Sequence, residues 1–368
     1  LRRQLHGAVA TRMERELAQP DEEADLLSLH YLVAGEHRAA WRYATVAAKH
    51  ALGAFAFVEA ARMYARALEA GRRLHDVPQR ELASVHESLA DCWYRVGEFP
   101  KAVDGYSAAR RMAAGDPLQA SELLLKRSKL EEKLGHYAQA LRWAARAGKA
   151  VEGLSGGEPA KQAARSSAWY ANVLQAEGRS ADAMRWADRA IREAEAADDA
   201  EALGAACFVM GWAYGVLGKD GAEPYLQRAL EAYRRSGNLL RQAALLSNLG
   251  VICQWEGRWD EALSYYERGR AESVKLGNMF DAALARMNVA EILSDRGELD
   301  RAQELLQDTL PVWRASRYRY LLGGCLWLLG RVSLRALRLD EARARLEEAR
   351  ALFVAVKRDE ETLDVDAR

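Results

Sequence analysis

The sequence predicts an all-α solenoid of about eight to nine helical hairpins with a period near 40 residues. One pattern occurs twice between residues 240 and 306: a large and a small apolar residue follow Asn248, and the pattern returns 40 residues later after Asn288. Helix-favouring Ala, Leu, Arg and Glu are abundant, and the 368 residues include only 7 prolines. Repeats with a period of roughly 20–50 residues indicate a solenoid, because one hairpin cannot bury its apolar face alone.

The first 34 residues predict two helices that precede the regular repeats. A break at Gln19-Pro20-Asp21 separates two helical patterns, since Pro favours the first turn of a new helix. The second pattern ends at Gly35. Because the chain starts at Leu1 inside a helical pattern and not at Met, we expect residues 1–34 to be N-terminal helices at the junction to a missing upstream domain.

A turn Gly followed by Ala sets the register of the repeats. Gly at a helix end takes the left-handed conformation, and Ala on the next helix allows a tight crossing. Two units deviate: Ala222 follows Gly218 one residue early, and Leu337 stands where Gly is expected. We assign residues 35–355 to the superhelix and 356–368 to an acidic C-terminal tail. The regular pairs are Gly97 with Ala102, Gly135 with Ala140, Gly178 with Ala183, Gly257 with Ala262, and Gly297 with Ala302.

A large and a small residue stand together before most of the turns. The small residue would let two helices approach closely, so we interpret these pairs as core and not as a binding site. The pairs are Leu89-Ala90, Tyr170-Ala171, Met210-Gly211, Leu249-Gly250, Val289-Ala290 and Leu329-Gly330.

This arrangement resembles the tetratricopeptide repeat (TPR), a hairpin of about 34 residues with a large-small pair, a turn Gly and a following Ala. The resemblance covers roughly residues 36–355. The spacing of 38 to 43 residues implies longer helices, as in the TPR variants of kinesin light chains and several bacterial regulators. Residues 5–70 are similar to the start of the TPR arm in large bacterial STAND or AAA-type ATPase signalling proteins, which also carry a cyclase or a LuxR-type DNA-binding domain.

The charge balance argues against nucleic-acid and membrane partners. The 53 basic and 53 acidic side chains cancel, so the whole chain has no field that would attract a polyanion. One basic and aromatic stretch, residues 314–320 (RASRYRY), has the composition of a nucleic-acid contact, but a single patch in a neutral chain favours a solvated helix face. No apolar run reaches the roughly 18 residues of a membrane span. We therefore expect a cytoplasmic protein.

The sequence predicts no catalytic, metal or cofactor site. The pair Gly218-Lys219 is similar to part of a phosphate loop, but Ala213 and Asp220 stand where that loop needs Gly and Ser or Thr. The four cysteines are far apart and predict buried thiols. All seven histidines lie in the first 136 residues without a metal-binding spacing. Any ATPase or cyclase activity would belong to other domains of a parent protein.

The TPR resemblance implies a partner-binding groove on the inner face of each first helix. In the kinesin-light-chain type, the residue nine before the turn Gly is rich in Asn, and its amide holds a peptide backbone. A carboxamide donates and accepts at once, which suits an extended peptide; the alternative is an Asn that solvates a helix or bonds to the next repeat. Aromatic residues would add apolar anchors unless they belong to the core. The candidate groove residues are Trp169, Asn172, Phe208, Trp212, Asn248, Asn288, Glu291 and Arg331.

The predicted function is the binding of a protein or peptide partner in this concave groove. The resemblance implies the regulatory or sensor arm of a larger ATP-dependent bacterial signalling or transcription-regulating protein. Two alternatives stay open: a small-molecule inducer in the aromatic groove, or a structural arm for self-association. The sequence leaves the oligomeric state open.

Overall fold

The computed structural model describes residues 1–54, 56–113, 115–315 and 318–355. Within these ranges the chain forms eighteen α-helices and one short 3-10 helix, without a strand, and the α-helices follow one another as nine hairpins. The all-α solenoid of about eight to nine hairpins is therefore confirmed. The chain divides into two compact units, Leu1–Ala202 and Leu203–Arg368. The predicted acidic tail, residues 356–368, lies outside the described residues.

The first unit contains five hairpins, of which the N-terminal helices form the first. We call odd-numbered helices from α3 onward first helices, and even-numbered ones second helices. The elements are α1 (Arg2–Glu16), the 3-10 helix (Pro20–Glu23), α2 (Ala24–Ala34), α3 (His37–Gly53), α4 (Phe57–Gly71), α5 (Gln79–Arg95), α6 (Phe99–Met112), α7 (Pro117–Lys133), α8 (Tyr137–Ala150), α9 (Gly157–Ala176) and α10 (Ser180–Ala196).

The second unit continues the same alternation. The initial helix of this unit, α11, begins at Ala200, three residues before the unit boundary at Leu203. The helices are α11 (Ala200–Val216), α12 (Ala222–Arg235), α13 (Leu239–Trp255), α14 (Trp259–Lys275), α15 (Met279–Asp295), α16 (Leu299–Ala315), α17 (Arg319–Arg335) and α18 (Leu339–Ala355).

The turn inside each hairpin from α5 to α18 has one repeated backbone geometry. Gly297 has a φ of 84°, and the N–H of Glu298 donates to the carbonyl of Leu293 at 2.9 Å. This backward bond closes the end of α15 and requires a left-handed residue, which Gly adopts without a Cβ clash. In the last hairpin Leu337 takes the same conformation with a φ of 60°. The predicted register, including its exception at Leu337, is confirmed.

The helices of a hairpin cross closely where small residues meet larger ones. A Cβ at Gly250 would lie 2.6 Å from the ring of Tyr266, so α13 and α14 can pack at this distance only because residue 250 has no side chain. Leu249, beside it, is fully buried. The alanines after the turns are buried as well: Ala102, Ala140, Ala183, Ala222, Ala262, Ala302 and Ala342. Four of the six large-small pairs are buried on both members, as predicted, whereas Leu89 and Tyr170 are half-buried beside their buried alanines.

The N-terminal helices pack into the same core as α3 and α4. Leu27 of α2 and Tyr43 of α3 are fully buried in one hydrophobic cluster. A polar contact adds to it: Arg66 of α4 donates from Nη1 to Asp25 Oδ1 at 2.7 Å and to Ser28 Oγ at 2.5 Å. Because the Arg66 side chain is only 12% exposed, this pair anchors α4 on α2.

Replacing Leu249 by Ala should lower the free energy of unfolding by about 2–5 kcal/mol, because the change leaves a cavity between α13 and α14. Leu239→Ala is the matched control, since Leu239 lies on the same helix and is 56% exposed; its effect should stay within about 0.5 kcal/mol. Chemical denaturation of the purified variants measures both. Equal denaturation midpoints for Leu249→Ala and the unaltered protein would contradict the packing.

Leu337→Gly should raise the stability by about 0.5–1 kcal/mol, because Gly takes a φ of 60° without strain and the gain exceeds the added entropy of the unfolded chain. Leu337 is 83% exposed, so little packing is lost. The reverse change, Gly297→Leu, should lower the stability by a similar amount, because a Leu at this position must take a left-handed φ. Open space surrounds Gly297, so the new side chain adds no steric clash. Thermal unfolding of the two variants should shift in opposite directions, and shifts of the same sign would refute the argument.

Candidate functional site

The candidate site in the second unit lies on the exposed sides of its first helices. We call this surface the first-helix face; most of its side chains are half-buried, so they combine packing with access to solvent. Spacings of three and four residues place the members of each helix on one side of it. The members are Phe208 and Trp212 of α11, Asn248, Val251 and Trp255 of α13, Asn288, Glu291 and Asp295 of α15, and Arg331 and Arg335 of α17.

Asn248 and Asn288 occupy equivalent positions in successive repeats. Both are half-buried, and neither side-chain amide has a hydrogen-bond partner within the residues that the structure describes. Two other asparagines on the same helices differ: Asn238 and Asn278 cap the starts of α13 and α15, where they accept from the N–H of Arg241 and Asp281. The capping asparagines are used by the fold, whereas Asn248 and Asn288 keep free donors and acceptors.

Aromatic rings cluster on α11 and at the end of α13. The ring centroids of Phe208 and Trp212 are 6.0 Å apart, and those of Trp212 and Trp255 are 5.4 Å apart. Trp255 remains 53% exposed. Gly215 makes its position possible, because a Cβ there would lie 2.4 Å from Ile252 and 3.2 Å from the Trp255 ring. The result is an accessible aromatic surface between α11 and α13 that could anchor an apolar side chain.

A hydrogen-bonded ion network crosses α13, α15 and α17. Arg331 donates to Glu291 at 3.2 Å and to Asp295 at 3.0 Å. Gln254 donates from Nε2 to Glu291 at 3.4 Å and accepts from the Tyr266 hydroxyl at 2.8 Å. Two of the predicted groove residues, Glu291 and Arg331, therefore pair with each other. Their charges are used internally, so this end of the first-helix face is close to neutral.

The network also affects the pKa of Tyr266, its buried member on α14. Burial, followed by the nearby Glu291 carboxylate, raises the pKa of Tyr266. The phenol therefore stays protonated and can donate to Gln254 at any physiological pH. Its donation holds the Gln254 oxygen toward α14 and leaves the amide nitrogen directed at Glu291.

Several contributors to this face were not among the sequence candidates. Asp295 and Arg335 lie four residues after Glu291 and Arg331, and Arg335 reaches Asp295 at 2.7 Å. The helical spacing of four was a signal that could have identified them. Gln254 and Gly215 had no such signal, because their contacts depend on how neighbouring helices pack. Conversely, Val209 and Leu328, at positions equivalent to Asn248, are buried in the core.

The remaining two candidates, Trp169 and Asn172, lie on α9 in the first unit. The indole Nε1 of Trp169 donates to Ser128 Oγ at 2.9 Å, and its ring packs on the cluster around Leu124 and Leu125. Trp169 therefore takes part in the packing of α7 against α9. The amide of Asn172 is half-buried and has no hydrogen-bond partner in the described part of the chain.

Thiols and other metal-binding side chains do not gather in the described ranges. No three His, Cys, Asp or Glu residues there are placed to hold a metal ion. Cys92, Cys207, Cys253 and Cys325 are free and buried. Burial raises the pKa of the Cys325 thiol to about 12, so it stays protonated. None of the helices in these ranges has both the length and the apolar character of a bilayer span.

The basic and aromatic stretch at residues 314–320 is partly described, since Ser316 and Arg317 lie outside the described residues. Its aromatic residues contact rings of neighbouring helices: Tyr318 lies 4.8 Å from Phe280, and Tyr320 lies 5.8 Å from Phe353, between ring centroids. These contacts give the tyrosines a role in packing.

Two segments of the second unit match family models of the tetratricopeptide repeat, at residues 217–271 and 282–316. Both copies of the pattern at Asn248 and Asn288 lie in these segments. No curated protein matches the chain by sequence. The chain therefore carries tetratricopeptide repeats within a TPR solenoid, a fold that serves generally in protein interaction.

Solved structures share this fold at low sequence identity. Aspartyl phosphate phosphatase F from Bacillus subtilis has a TM-score of 0.58 and 14% identity, over 95% of this chain and 88% of that protein. A Rap protein complexed with Competence and Sporulation Factor has a TM-score of 0.50 and 18% identity, over 90% and 100%. A signal transduction ATPase with numerous domains (STAND) from Pyrococcus horikoshii, which has a tetratricopeptide repeat sensor, has a TM-score of 0.58 and 16% identity. That match covers 99% of this chain and 55% of the STAND protein.

Replacing Arg331 by Ala should lower the stability by about 1–3 kcal/mol, because it removes a mostly buried cation from two carboxylates. A double-mutant cycle of Glu291→Gln with Arg331→Gln should give a coupling energy of about 1 kcal/mol. Arg343→Ala on α18 is the control: Arg343 is exposed and has no ion pair in the described ranges, so its loss should be near neutral. Urea denaturation measures all variants. An Arg331→Ala effect no larger than that of the control would show that the network is not stabilising.

Proposed function

We propose that this tetratricopeptide-repeat chain binds an extended peptide segment of a protein partner on the first-helix face of its second unit. One observation carries the proposal: the amides of Asn248 and Asn288 are half-buried, equivalent in successive repeats and without partners among the described residues. Desolvating an amide without giving it a hydrogen bond is unfavourable, so a ligand that satisfies both would be favoured over an apolar one.

The repeat spacing suits a peptide in extended conformation. Packed helices lie about 8–10 Å apart, and an extended chain advances about 3.3 Å per residue. Two asparagines on successive first helices would therefore meet backbone groups about three residues apart. Each carboxamide can accept from a peptide N–H and donate to a carbonyl. This pairing is independent of the peptide's side chains, so specificity would come from the surfaces on either side.

Those flanking surfaces differ in character. Trp212 and Trp255 offer an accessible aromatic surface, which would take an aromatic or aliphatic side chain of the peptide. On the other side, the paired Glu291 and Arg331 leave little net charge. The preferred peptide would therefore carry an apolar anchor at the α11–α13 end and need no strong charge at the α15–α17 end.

The wider role that we propose is the regulatory or sensor arm of a larger ATP-dependent signalling or transcription-regulating protein. The support is the fold similarity to a STAND protein with a tetratricopeptide repeat sensor, of which this chain spans 55%. The Rap protein complexed with Competence and Sporulation Factor has the same fold. In such an arm, partner binding would be the input and the enzymatic output would lie in another domain.

Combining Asn248→Ala with Asn288→Ala should weaken peptide binding roughly five- to a hundredfold, because each lost hydrogen bond costs about 0.5–1.5 kcal/mol. Peptides would first be selected from a displayed library on the unaltered chain, and their affinities then measured by calorimetry. The double variant should fold normally, since neither amide is used within the described structure.

The matched control is Asn238→Ala with Asn278→Ala, which removes two capping amides from the same two helices. It should reduce stability by about 1 kcal/mol for each cap and leave peptide affinity unchanged. Selected peptides that bind the Asn248 and Asn288 variant as tightly as the unaltered chain would refute the proposed site. Selected peptides that bind only through one apolar side chain, with no contribution from their backbone groups, would favour a small-molecule sensor.

A further inference from the structure

A large cleft opens in the first unit between the second helices α4 and α6. Its volume is about 1310 Å³, and its apolar lining residues include Leu68 of α4, Leu89 of α5 and Met112 of α6. Drug-sized ligands occupy pockets of roughly 300–1,000 Å³. The cleft can therefore hold an organic molecule with several functional groups, and it is far larger than a single inorganic ion requires.

Basic side chains line the cleft together with these apolar residues. Five cationic residues line the cleft against two acidic ones, Glu69 and Asp104, although the whole chain has as many acidic as basic residues. Lys101 forms an ion pair with Glu98 at 3.4 Å. The four arginines have neither an ion pair nor a hydrogen bond within the described ranges. The cationic residues are Arg3, Arg72, Arg73, Lys101 and Arg111.

His86 of α5 lines the same cleft as Arg72 and Arg111. Burial, and then the charges of Arg72 and Arg111, lower the pKa of His86. Attraction to the helix dipole explains why each arginine lies at the end of its helix. It does not explain why both line a cleft that also contains the half-buried His86, without an acidic partner in the described ranges. A second lining histidine, His37, has a buried Nδ1 without a hydrogen bond, which also indicates an unsatisfied polar site.

We propose that this cleft binds an organic phosphate of the nucleotide class. Arginine forks hold phosphate oxygens through two parallel hydrogen bonds, which suits the unpaired Arg72 and Arg111. The carboxylates of Glu69 and Asp104, also without partners in the described residues, can accept hydrogen bonds from sugar hydroxyls. The apolar side chains of the cleft can pack against the flat base of the nucleotide. An acidic peptide such as oligoglutamate would also pair with the arginines, but it has no flat apolar ring to pack on Leu68, Leu89 and Met112.

This site is separate from the first-helix face and does not depend on the proposed peptide binding. It lies in the first unit, where most of its lining comes from α4, α5 and α6, whereas the peptide would contact first helices of the second unit. It also accounts for two of the histidines, which are confined to the first 136 residues of the sequence.

The test is calorimetric titration of the full chain with ATP in a metal-free buffer. ATP should bind with a dissociation constant below about 1 mM and raise the melting temperature. Combining Arg72→Gln with Arg111→Gln should weaken binding at least about tenfold, because two phosphate contacts are lost. Arg110→Gln is the matched control: Arg110 lies next to Arg111 on α6 but does not line the cleft, so its affinity for ATP should stay within about twofold.

Three further probes separate the possible ligand chemistries. Adenosine, which lacks phosphate, and tripolyphosphate, which lacks the sugar and base, should each bind at least about fivefold more weakly than ATP. Hexaglutamate should bind more weakly than ATP as well. Tripolyphosphate or hexaglutamate binding as tightly as ATP would overturn the proposed class, and so would the absence of ATP binding at millimolar concentration.

Folding of the variants can be separated from binding. Arg72 and Arg111 have no partners in the described ranges, so their removal should leave the melting temperature unchanged. Should the double variant melt early, the single variant Arg111→Gln must still weaken ATP binding at least about threefold. Unchanged affinity in both variants would place any ATP binding elsewhere and overturn the proposal.

Discussion

The close crossing of two helices at a small residue is the constraint on which the rest of this structure depends. At Gly250 a Cβ would lie 2.6 Å from Tyr266, and at Gly330 it would lie 2.7 Å from Leu346. These crossings pack the two helices of a hairpin closely against each other. The apolar side of the hairpin that is still exposed is then covered by the next hairpin. Since a hairpin cannot bury that side alone, the small residue in one hairpin also determines how the next one packs.

Regular stacking brings equivalent residues of successive first helices side by side, and the chemistry of those residues then decides what the surface can do. Glu291 and Arg331, 40 residues apart, meet and neutralise each other. Asn248 and Asn288 have the same separation, but their amides have no hydrogen-bond partner among the described residues. The same geometry therefore yields a network of paired charges at one end of the first-helix face and an open hydrogen-bonding surface beside it. Only the open part has interactions left to offer a partner.

Zero net charge conceals a marked local separation of charge. In the second unit the ions of the first-helix face are paired at 2.7 to 3.2 Å. In the first unit, arginines from α1, α4 and α6 surround one cleft without partners in the described ranges. Because screening confines an exposed charge to about 10 Å in dilute salt, such patches act on ligands locally, whatever the sum over the chain.

The sequence by itself determined the repeating fold, because local chemistry dictates each of its signals. Turn glycines end helices wherever they occur, and even the exception at Leu337 keeps the left-handed conformation. It also predicted Asn248, Asn288 and several aromatic residues as groove candidates; both asparagines are half-buried, whereas Trp169 packs between α7 and α9. It did not reveal that Glu291 pairs with Arg331, that Val209 and Leu328 are buried, or that Gly215 makes room for Trp255. Nor did it show that residues as distant as Arg3 and Arg111 share a cleft. Those facts depend on the distance and rotation between neighbouring helices, which only tertiary packing decides, because contacts between repeats join side chains with no local pattern in common.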